Sequence, residues 1–166
     1  MGDELRGESL VHLNVRFSTE TELKEFQDLL YEKSGQGISF TGLLEAMVNE
    51  ATIVTAVHNI KSNKGNKTAG VDGMSMDRYL QMPRDELITL IQSTAANYKP
   101  KPARRVYIPK SNGKRRPLGI PTMLDRIVQE CVRIILEPIC EARFYPHSYG
   151  FRTYRAQKHA IRDIIN

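Results

Sequence analysis

Residues 105–121 restrict the fold of this chain more than any other segment, because they follow a strand pattern while the other apolar residues follow helical spacing. The runs Arg105-Val-Tyr-Ile-Pro-Lys110 and Arg115-Arg-Pro-Leu-Gly-Ile-Pro121 flank a Ser-Asn-Gly turn. Asn-Gly between two strand-like runs predicts a tight antiparallel hairpin. Proline has no N–H to donate to a sheet, so Pro109 and Pro117 confine these strands to an edge or to irregular pairing.

The rest of the chain predicts helices, so the fold class is α+β, mostly helical with one basic antiparallel β-hairpin. Thr19 and Glu22 form a capping-box pattern at the start of an amphipathic helix over residues 19–33. A second helix is expected from about residue 41 towards residue 60, with a break near residues 49–52. The remaining predictions are one strand over 10–17 and helices over 75–80, 84–96, 123–142 and 154–165.

The long helix that follows the hairpin carries a start signal and a stop signal. Thr122 and Asp125 resemble a capping pair, and this structural role is sufficient for Asp125. Pro138 should kink or end the helix, because proline removes one backbone hydrogen bond.

Charge is distributed unevenly along the sequence. Residues 1–60 carry 4 basic and 10 acidic side chains, whereas residues 61–166 carry 20 basic and 9 acidic ones. Eight basic residues and no acidic residue lie between Lys99 and Arg116. Such a block is either a solvated face or the binding surface for a polyanion, and its density favours the polyanion. The change in composition places a division near residue 37, between an acidic N-terminal extension and a basic body.

Several other classes of protein are disfavoured. No long apolar run or signal-peptide pattern occurs, so a soluble cytoplasmic protein without membrane contact is expected. Cys131 and Cys140 lie in an apolar helical stretch, which favours buried free thiols over a disulfide or a zinc site. The pair Gly65 and Gly70 superficially resembles a phosphate-binding loop, but Val-Asp follows where such loops require Lys-Ser/Thr.

Four segments occur in the order and spacing of a known family. They are Asn63–Gly73, Tyr98–Lys110, Gly113–Gln129, and Leu136–Pro138 followed by Ser148-Tyr-Gly-Phe-Arg152. Together they resemble the N-terminal blocks of bacterial group II intron-encoded reverse transcriptases, or maturases, from about residue 41 to the end. That family usually has proline after Gly-Phe-Arg, where this chain has Thr153. The resemblance implies that residues 38–166 form the fingers and the beginning of the palm of a right-hand polymerase, preceded by an acidic extension with one helix over 1–37.

The resemblance also implies roles for particular basic residues. A polymerase holds nucleic acid by its backbone and a nucleotide by its triphosphate, and both tasks require Lys and Arg. In this family the hairpin folds over the nucleotide, which implies that Lys110 and Arg116 bind the triphosphate; the alternative for each is an exposed hairpin charge. The residues expected to contact template or intron RNA are Lys61, Lys64, Lys67, Arg104, Arg105, Lys114, Arg115 and Arg152.

Three further residues of these segments receive structural expectations. Gly65 and Gly70 should permit a close backbone approach or a positive φ. Phe151 should pack as an anchor of its turn, together with the neighbouring tyrosine ring, which leaves the arginine at 152 as the functional residue of that block.

The resemblance implies an RNA-directed DNA polymerase that also assists intron splicing. Its expected partners are group II intron RNA, an RNA template with a DNA primer, and deoxynucleotides. Such enzymes use two Mg²⁺ ions held by carboxylates, and no such carboxylates are expected in this chain. We therefore expect a catalytically inactive part of a longer enzyme. The alternative function is a stand-alone RNA-binding module. A second copy of the chain is a further candidate partner, through the apolar face of residues 127–139.

Overall fold

The computed structural model describes residues 9–165, and within them it contains seven helices and four short strands. The predicted α+β class, mostly helical with an antiparallel hairpin, is confirmed. The helices are α1 (Glu20–Gly35), α2 (Leu43–Met47), α3 (Glu50–Ser62), α4 (Met76–Leu80), α5 (Arg84–Ala96), α6 (Met123–Arg143) and α7 (Gln157–Ile165). The strands are β1 (Leu10–His12), β2 (Ser39–Thr41), β3 (Arg104–Pro109) and β4 (Arg115–Ile120).

Helix α6 is the central element of the hydrophobic core. Its buried residues include Ile127, Cys131 and Ile135, which recur every four positions and so lie on one face. Helices α1, α3 and α5 pack against α6, and Leu30 and Ile53 from two of them are completely buried. Burying an aliphatic side chain of this size contributes about 1.5–3 kcal/mol. The helices therefore supply the apolar contacts that stabilise the domain.

Pro138 lies inside α6, and the helix continues past it to Arg143, so of the two expected effects, a kink or an end, the end does not occur. Proline has no N–H for the carbonyl of Ile134, four residues earlier. The side chain of Gln27 on α1 donates its Nε2 hydrogen to that carbonyl at 2.7 Å. A buried carbonyl without a donor is costly. The contact between α1 and α6 therefore compensates for the hydrogen bond that the proline removes.

Side-chain caps set the starts of α1, α3 and α6, and those of α1 and α6 were predicted. Thr19 and Glu22 make both hydrogen bonds of a capping box at the start of α1. The break expected near residues 49–52 is the boundary between α2 and α3, where Asn49 accepts from the backbone N–H of Ala51 at 2.9 Å. Thr122 caps α6 by accepting from the backbone N–H of Asp125 at 3.2 Å.

The N-terminal segment differs from its predicted strand. Strand β1 is only three residues long and pairs in parallel with β2, which the sequence did not indicate. Strand geometry ends at His12 because the following segment turns Leu13 and Phe17 into the core. The division near residue 37 stays a prediction, and buried residues from both sides of it belong to one hydrophobic cluster.

The predicted hairpin is formed by β3 and β4, which pair with each other and with no other strand among residues 9–165. The N–H of Gly113 donates to the carbonyl of Lys110 at 3.1 Å, and the N–H of Lys110 donates to the carbonyl of Lys114 at 2.7 Å. Gly113 has a φ of 76°, whereas Asn112 has no positive φ. This is a tight turn closed by a glycine bulge. Both prolines lie in this two-stranded ribbon, which has only edge strands, as predicted.

The C-terminal region departs from prediction at two points. Helix α7 begins at Gln157, because Phe151 and Tyr154 adopt positive φ angles of 57° and 60° that interrupt helical geometry. Cys131 is buried and Cys140 is exposed, and both are free thiols, so the expectation of two buried thiols is wrong for Cys140. Across residues 9–165, no helix is both long enough and apolar enough to cross a membrane.

Candidate nucleic-acid interface

A cleft lies where the base of the hairpin meets the loop after α3 and the start of α6. Its volume is about 280 Å³. Both polar and apolar groups line it: Gly65, Thr68, Leu118, Gly119, Ile120, Pro121 and Arg126. Two of the four sequence segments that carry the family resemblance, 63–73 and 113–129, therefore meet at one place in the fold.

Gly70 allows the loop over residues 63–73, the block-one loop, to lie directly against the backbone that precedes α6. A Cβ atom at this position would lie 2.6 Å from the Cα of Thr122 and 2.8 Å from the carbonyl oxygen of Pro121. Real side chains do not tolerate such distances to backbone atoms. The predicted close approach is confirmed for Gly70. It is wrong for Gly65, where the nearest atom would be 3.8 Å away and φ is not positive.

Arg126, in the first turn of α6, joins the block-one loop to the hairpin. Its guanidinium donates to the carbonyls of Gly65 at 3.0 Å, Thr68 at 2.7 Å and Pro121 at 3.2 Å. Partial burial lowers the pKa of Arg126 and the nearby charge of Arg104 lowers it further, but arginine stays protonated in proteins. A charged donor that bonds three loop carbonyls fixes the position of the loop relative to the helix.

Arg104, at the first position of β3, makes a similar contact from the hairpin side. Its Nε and Nη2 atoms donate to the carbonyl of Ala69 at 3.0 and 2.8 Å. The residue is exposed, but two of its donors bond the block-one loop and so stabilise the fold. The RNA contact expected of Arg104 stays a prediction, and its structural role was not foreseen from the sequence.

The register of the hairpin divides the predicted cationic residues between its two faces. Ile108 pairs with Arg116 and Val106 with Leu118, so these four side chains point to one face. Alternation places Lys110 and Lys114 on that face too, towards the tip. Because Leu118 and Ile120 line the cleft, we call this the cleft face. The structure therefore brings Lys110 and Arg116 together, while their binding of a triphosphate stays a prediction.

The opposite face of the hairpin, which we call the outer face, carries the other two predicted arginines. Arg105 pairs with Gly119, Tyr107 with Pro117, and Pro109 with Arg115. Arg105 and Arg115 were expected to contact template or intron RNA, and that contact stays a prediction. The register separates them from Lys110 and Arg116.

The three lysines assigned to the N-terminal block are exposed near the cleft. Lys61 lies in the last turn of α3, and Lys64 and Lys67 lie in the block-one loop. Asn66 shapes this loop, since its side chain donates to the carbonyl of Lys61 at 2.6 Å and its own carbonyl accepts from Met76 at 2.9 Å. The lysine side chains can therefore reach solvent from an ordered loop.

Arg152 lies apart from the cleft, in the turn after α6. Its side chain is only 6% exposed and pairs with the carboxylate of Glu141 at 2.8 Å. It also donates to the carbonyls of Tyr145 and Ser148, both at 3.0 Å. Its donors thus serve the turn, and its RNA contact stays a prediction. The expectation that Phe151 anchors this turn is wrong, because that side chain is fully exposed.

Carboxylates near the cleft have structural partners. Asp125 is buried, accepts from the hydroxyl of Thr122 at 2.6 Å and from the hydroxyl of Tyr98 at 3.1 Å. Burial raises the pKa of Tyr98, and its hydrogen bond to the carboxylate raises it further. Within the described part of the chain, no three His, Cys, Asp or Glu side chains lie close enough together to hold a metal ion.

Comparison with known proteins identifies relatives of this chain. It is 45% identical over 129 residues to "Protein YkfC" of Escherichia coli, which covers 74% of the chain and 32% of that protein. It is 40% identical over 127 residues to "Group II intron-encoded protein LtrA" of Lactococcus lactis, covering 75% of the chain and 21% of LtrA. It is 35% identical over 161 residues to "Putative COX1/OXI3 intron 1 protein" of Saccharomyces cerevisiae, covering 92% of the chain and 18% of that protein. No family model matches the chain.

Proposed function

The chain belongs to the family of group II intron-encoded reverse transcriptases and maturases, and on that premise we propose that it forms the fingers and the beginning of the palm of an RNA-directed DNA polymerase. The chain spans less than a third of the length of these relatives. The observation that carries the proposal is the cationic hairpin beside a cleft, with Lys110 and Arg116 on the face that lines it.

Nucleotide binding is proposed for the cleft face of the hairpin. A triphosphate is bound through charge, by donors that a rigid element holds in position. Arg104 fixes the base of the hairpin through its two hydrogen bonds to the carbonyl of Ala69, so the hairpin supplies such a rigid element. Lys110 and Arg116, near its tip, then bind the triphosphate of an incoming deoxynucleotide, and the cleft receives the substrate between hairpin and loop.

RNA binding is proposed for the exposed cations of the hairpin, the block-one loop and the end of α3. Their density and the absence of acidic residues from Lys99 to Arg116 give a strong positive field, which attracts phosphate backbones of any sequence. The RNA is a template paired to a DNA primer, or the group II intron itself when the protein assists splicing. The proposed contacts are Lys61, Lys64, Lys67, Arg104, Arg105, Lys114 and Arg115.

Catalysis is proposed for the longer polymerase and not for this chain alone. Mg²⁺ would supply Lewis-acid stabilisation of the reacting phosphate there. The described residues offer no carboxylate cluster that fits such an ion. The role of this chain is to bind and orient nucleic acid and nucleotide. We propose the bacterial cytoplasm as its location.

A binding titration tests the proposal. The chain is titrated with a structured group II intron RNA and with an unrelated RNA of equal length, across a salt series. Lys110→Gln/Arg116→Gln is compared with Lys24→Gln/Arg78→Gln, which removes two exposed charges from α1 and α4. Nucleotide binding is followed separately with a fluorescent deoxynucleoside triphosphate.

Preferential binding of the intron RNA, with a steep salt dependence, is expected. The hairpin variant should lose triphosphate binding, whereas the control variant should keep it. Each lost phosphate contact should flatten the log–log salt slope by about 0.7–0.9. Equal triphosphate binding by both variants would contradict the nucleotide role, and RNA binding without any triphosphate binding would favour a stand-alone RNA-binding module.

A further inference from the structure

The outer face of the hairpin has the composition of a binding site for single-stranded RNA. We propose that an unpaired base stacks on the ring of Tyr107 while Arg105 and Arg115 bind the phosphates on either side of it. This inference rests on the proposed function only in taking RNA as the ligand. Arg105 and Arg115 are already among the proposed RNA contacts, whereas the stacking role of Tyr107, the separate outer surface and the single-stranded kind of RNA are new.

The register of the hairpin builds this surface. Tyr107 lies at the centre of the outer face, opposite Pro117. Arg105 is two residues before it on the same strand, and Arg115 is paired two positions further along, so each lies roughly 7 Å from it along the ladder. Gly119, opposite Arg105, has no side chain to cover the surface. The result is one aromatic ring between two guanidinium groups.

The three side chains are available to a ligand. Tyr107 is 57% exposed, although an aromatic ring is normally placed where it can bury apolar area. Within residues 9–165, none of Arg105, Tyr107 and Arg115 makes a side-chain hydrogen bond or an ion pair. The donors of Arg105 and Arg115 are therefore available to a ligand, whereas Arg104 and Arg126 donate to backbone carbonyls of the block-one loop.

The chemistry of the site selects unpaired RNA over a duplex. An exposed tyrosine on a strand is common, and two arginines alone would bind any phosphate backbone. Their combination matches the way proteins bind single strands, in which bases stack on aromatic rings and cations follow the backbone. A base within a duplex is already stacked between its neighbours and cannot reach Tyr107. The outer face should therefore discriminate by strandedness.

The test uses a short unstructured RNA that carries one 2-aminopurine, and a duplex of the same sequence as competitor. Binding is measured by fluorescence anisotropy, and stacking by quenching of the 2-aminopurine. The variants are Tyr107→Leu, Tyr107→Phe and Arg105→Gln/Arg115→Gln. Tyr31→Leu serves as control, because Tyr31 is similarly exposed but lies on α1. Photocrosslinking of a 5-bromouridine RNA to the unmodified chain locates the contact without any substitution.

Tyr107→Leu should weaken single-strand binding by about tenfold and abolish the quenching, whereas Tyr107→Phe and Tyr31→Leu should bind like the unmodified chain. The crosslink should fall on Tyr107. A crosslink elsewhere, or single-strand binding unaffected by Tyr107→Leu, would overturn the inference. If single-strand binding survives Tyr107→Leu while Lys110→Gln/Arg116→Gln still loses triphosphate binding, the proposed function stands and this inference fails. If Tyr107→Leu weakens single-strand binding and abolishes the quenching while triphosphate binding does not depend on Lys110 and Arg116, this inference stands and the nucleotide role fails.

Discussion

Substitution of Gly70 by alanine tests how the block-one loop is attached to the start of α6. The new Cβ would lie 2.6 Å from the Cα of Thr122 and 2.8 Å from the carbonyl oxygen of Pro121. Both are backbone atoms, so no side-chain rotation relieves the overlap. The loop must move away from α6, which lengthens the hydrogen bonds from Arg126 to the carbonyls of Gly65 and Thr68.

The expected loss of folding free energy follows from overpacking, because Gly70 is buried and closely packed. Inserting an extra methyl group there costs typically about 1–3 kcal/mol. Gly65→Ala is the matched control, since its Cβ would meet only a side-chain nitrogen at 3.8 Å, which is ordinary contact. That substitution restricts the unfolded chain and should be neutral or stabilise the protein by about 0.4–1 kcal/mol. The two variants should thus differ by roughly 1–4 kcal/mol.

Thermal and urea unfolding provide the assay. For a chain of this size, 1 kcal/mol shifts Tm by about 2–4 °C, so Gly70→Ala should unfold several degrees below the unmodified chain and Gly65→Ala at or above it. Gly70→Ala should also weaken RNA binding in the titration above, because the loop carries Lys64 and Lys67. Equal Tm values for the two alanine variants would refute the close approach at Gly70.

Three further predictions concern other parts of the fold. Gln27→Leu should destabilise the chain by about 1–3 kcal/mol, because it removes the donor to the carbonyl that Pro138 leaves unpaired; the loss should shrink in a Pro138→Ala background, as a double-mutant cycle in urea would show. Burial raises the pKa of Cys131 to about 12, so its thiolate is scarce at pH 8. A thiol reagent should therefore label only the exposed Cys140 until the chain unfolds, and rapid labelling of both cysteines in the folded chain would contradict this. Arg152→Gln should lower Tm and leave the salt slope of RNA binding unchanged, whereas a flatter slope would support an RNA contact.

Signals contained within a few residues were readable from the sequence. The capping pair of Thr19 and Glu22 and that of Thr122 and Asp125 each form within one helical turn, so their partners are local. The hairpin is encoded in the same local way, by Asn-Gly between two strand-like runs. The family resemblance also rests on ordered local blocks, and the similarity to LtrA confirms it. The capped helix starts, the hairpin and the family were therefore predictable.

Tertiary structure decided what the basic side chains do. Arg104 and Arg152 were predicted from the sequence to contact RNA, but both donate to carbonyls of their own chain, as does Arg126. The loop carbonyls that Arg104 and Arg126 bind lie 35 to 61 residues away along the chain. No local pattern encodes a partner at such a distance, because packing of whole elements brings the two together.

Tertiary structure also decided how Gly70 differs from Gly65 and which residues lie on the cleft face or the outer face. Both glycines lie in one loop and look alike in sequence, yet only Gly70 lies against the backbone of another element. Which cations share a face depends on the register of β3 against β4, which the bulge at Gly113 sets. The sequence by itself determined that this chain is a basic, helix-rich member of its family with one hairpin. Contacts between distant elements decided which of its charges remain free to bind a ligand.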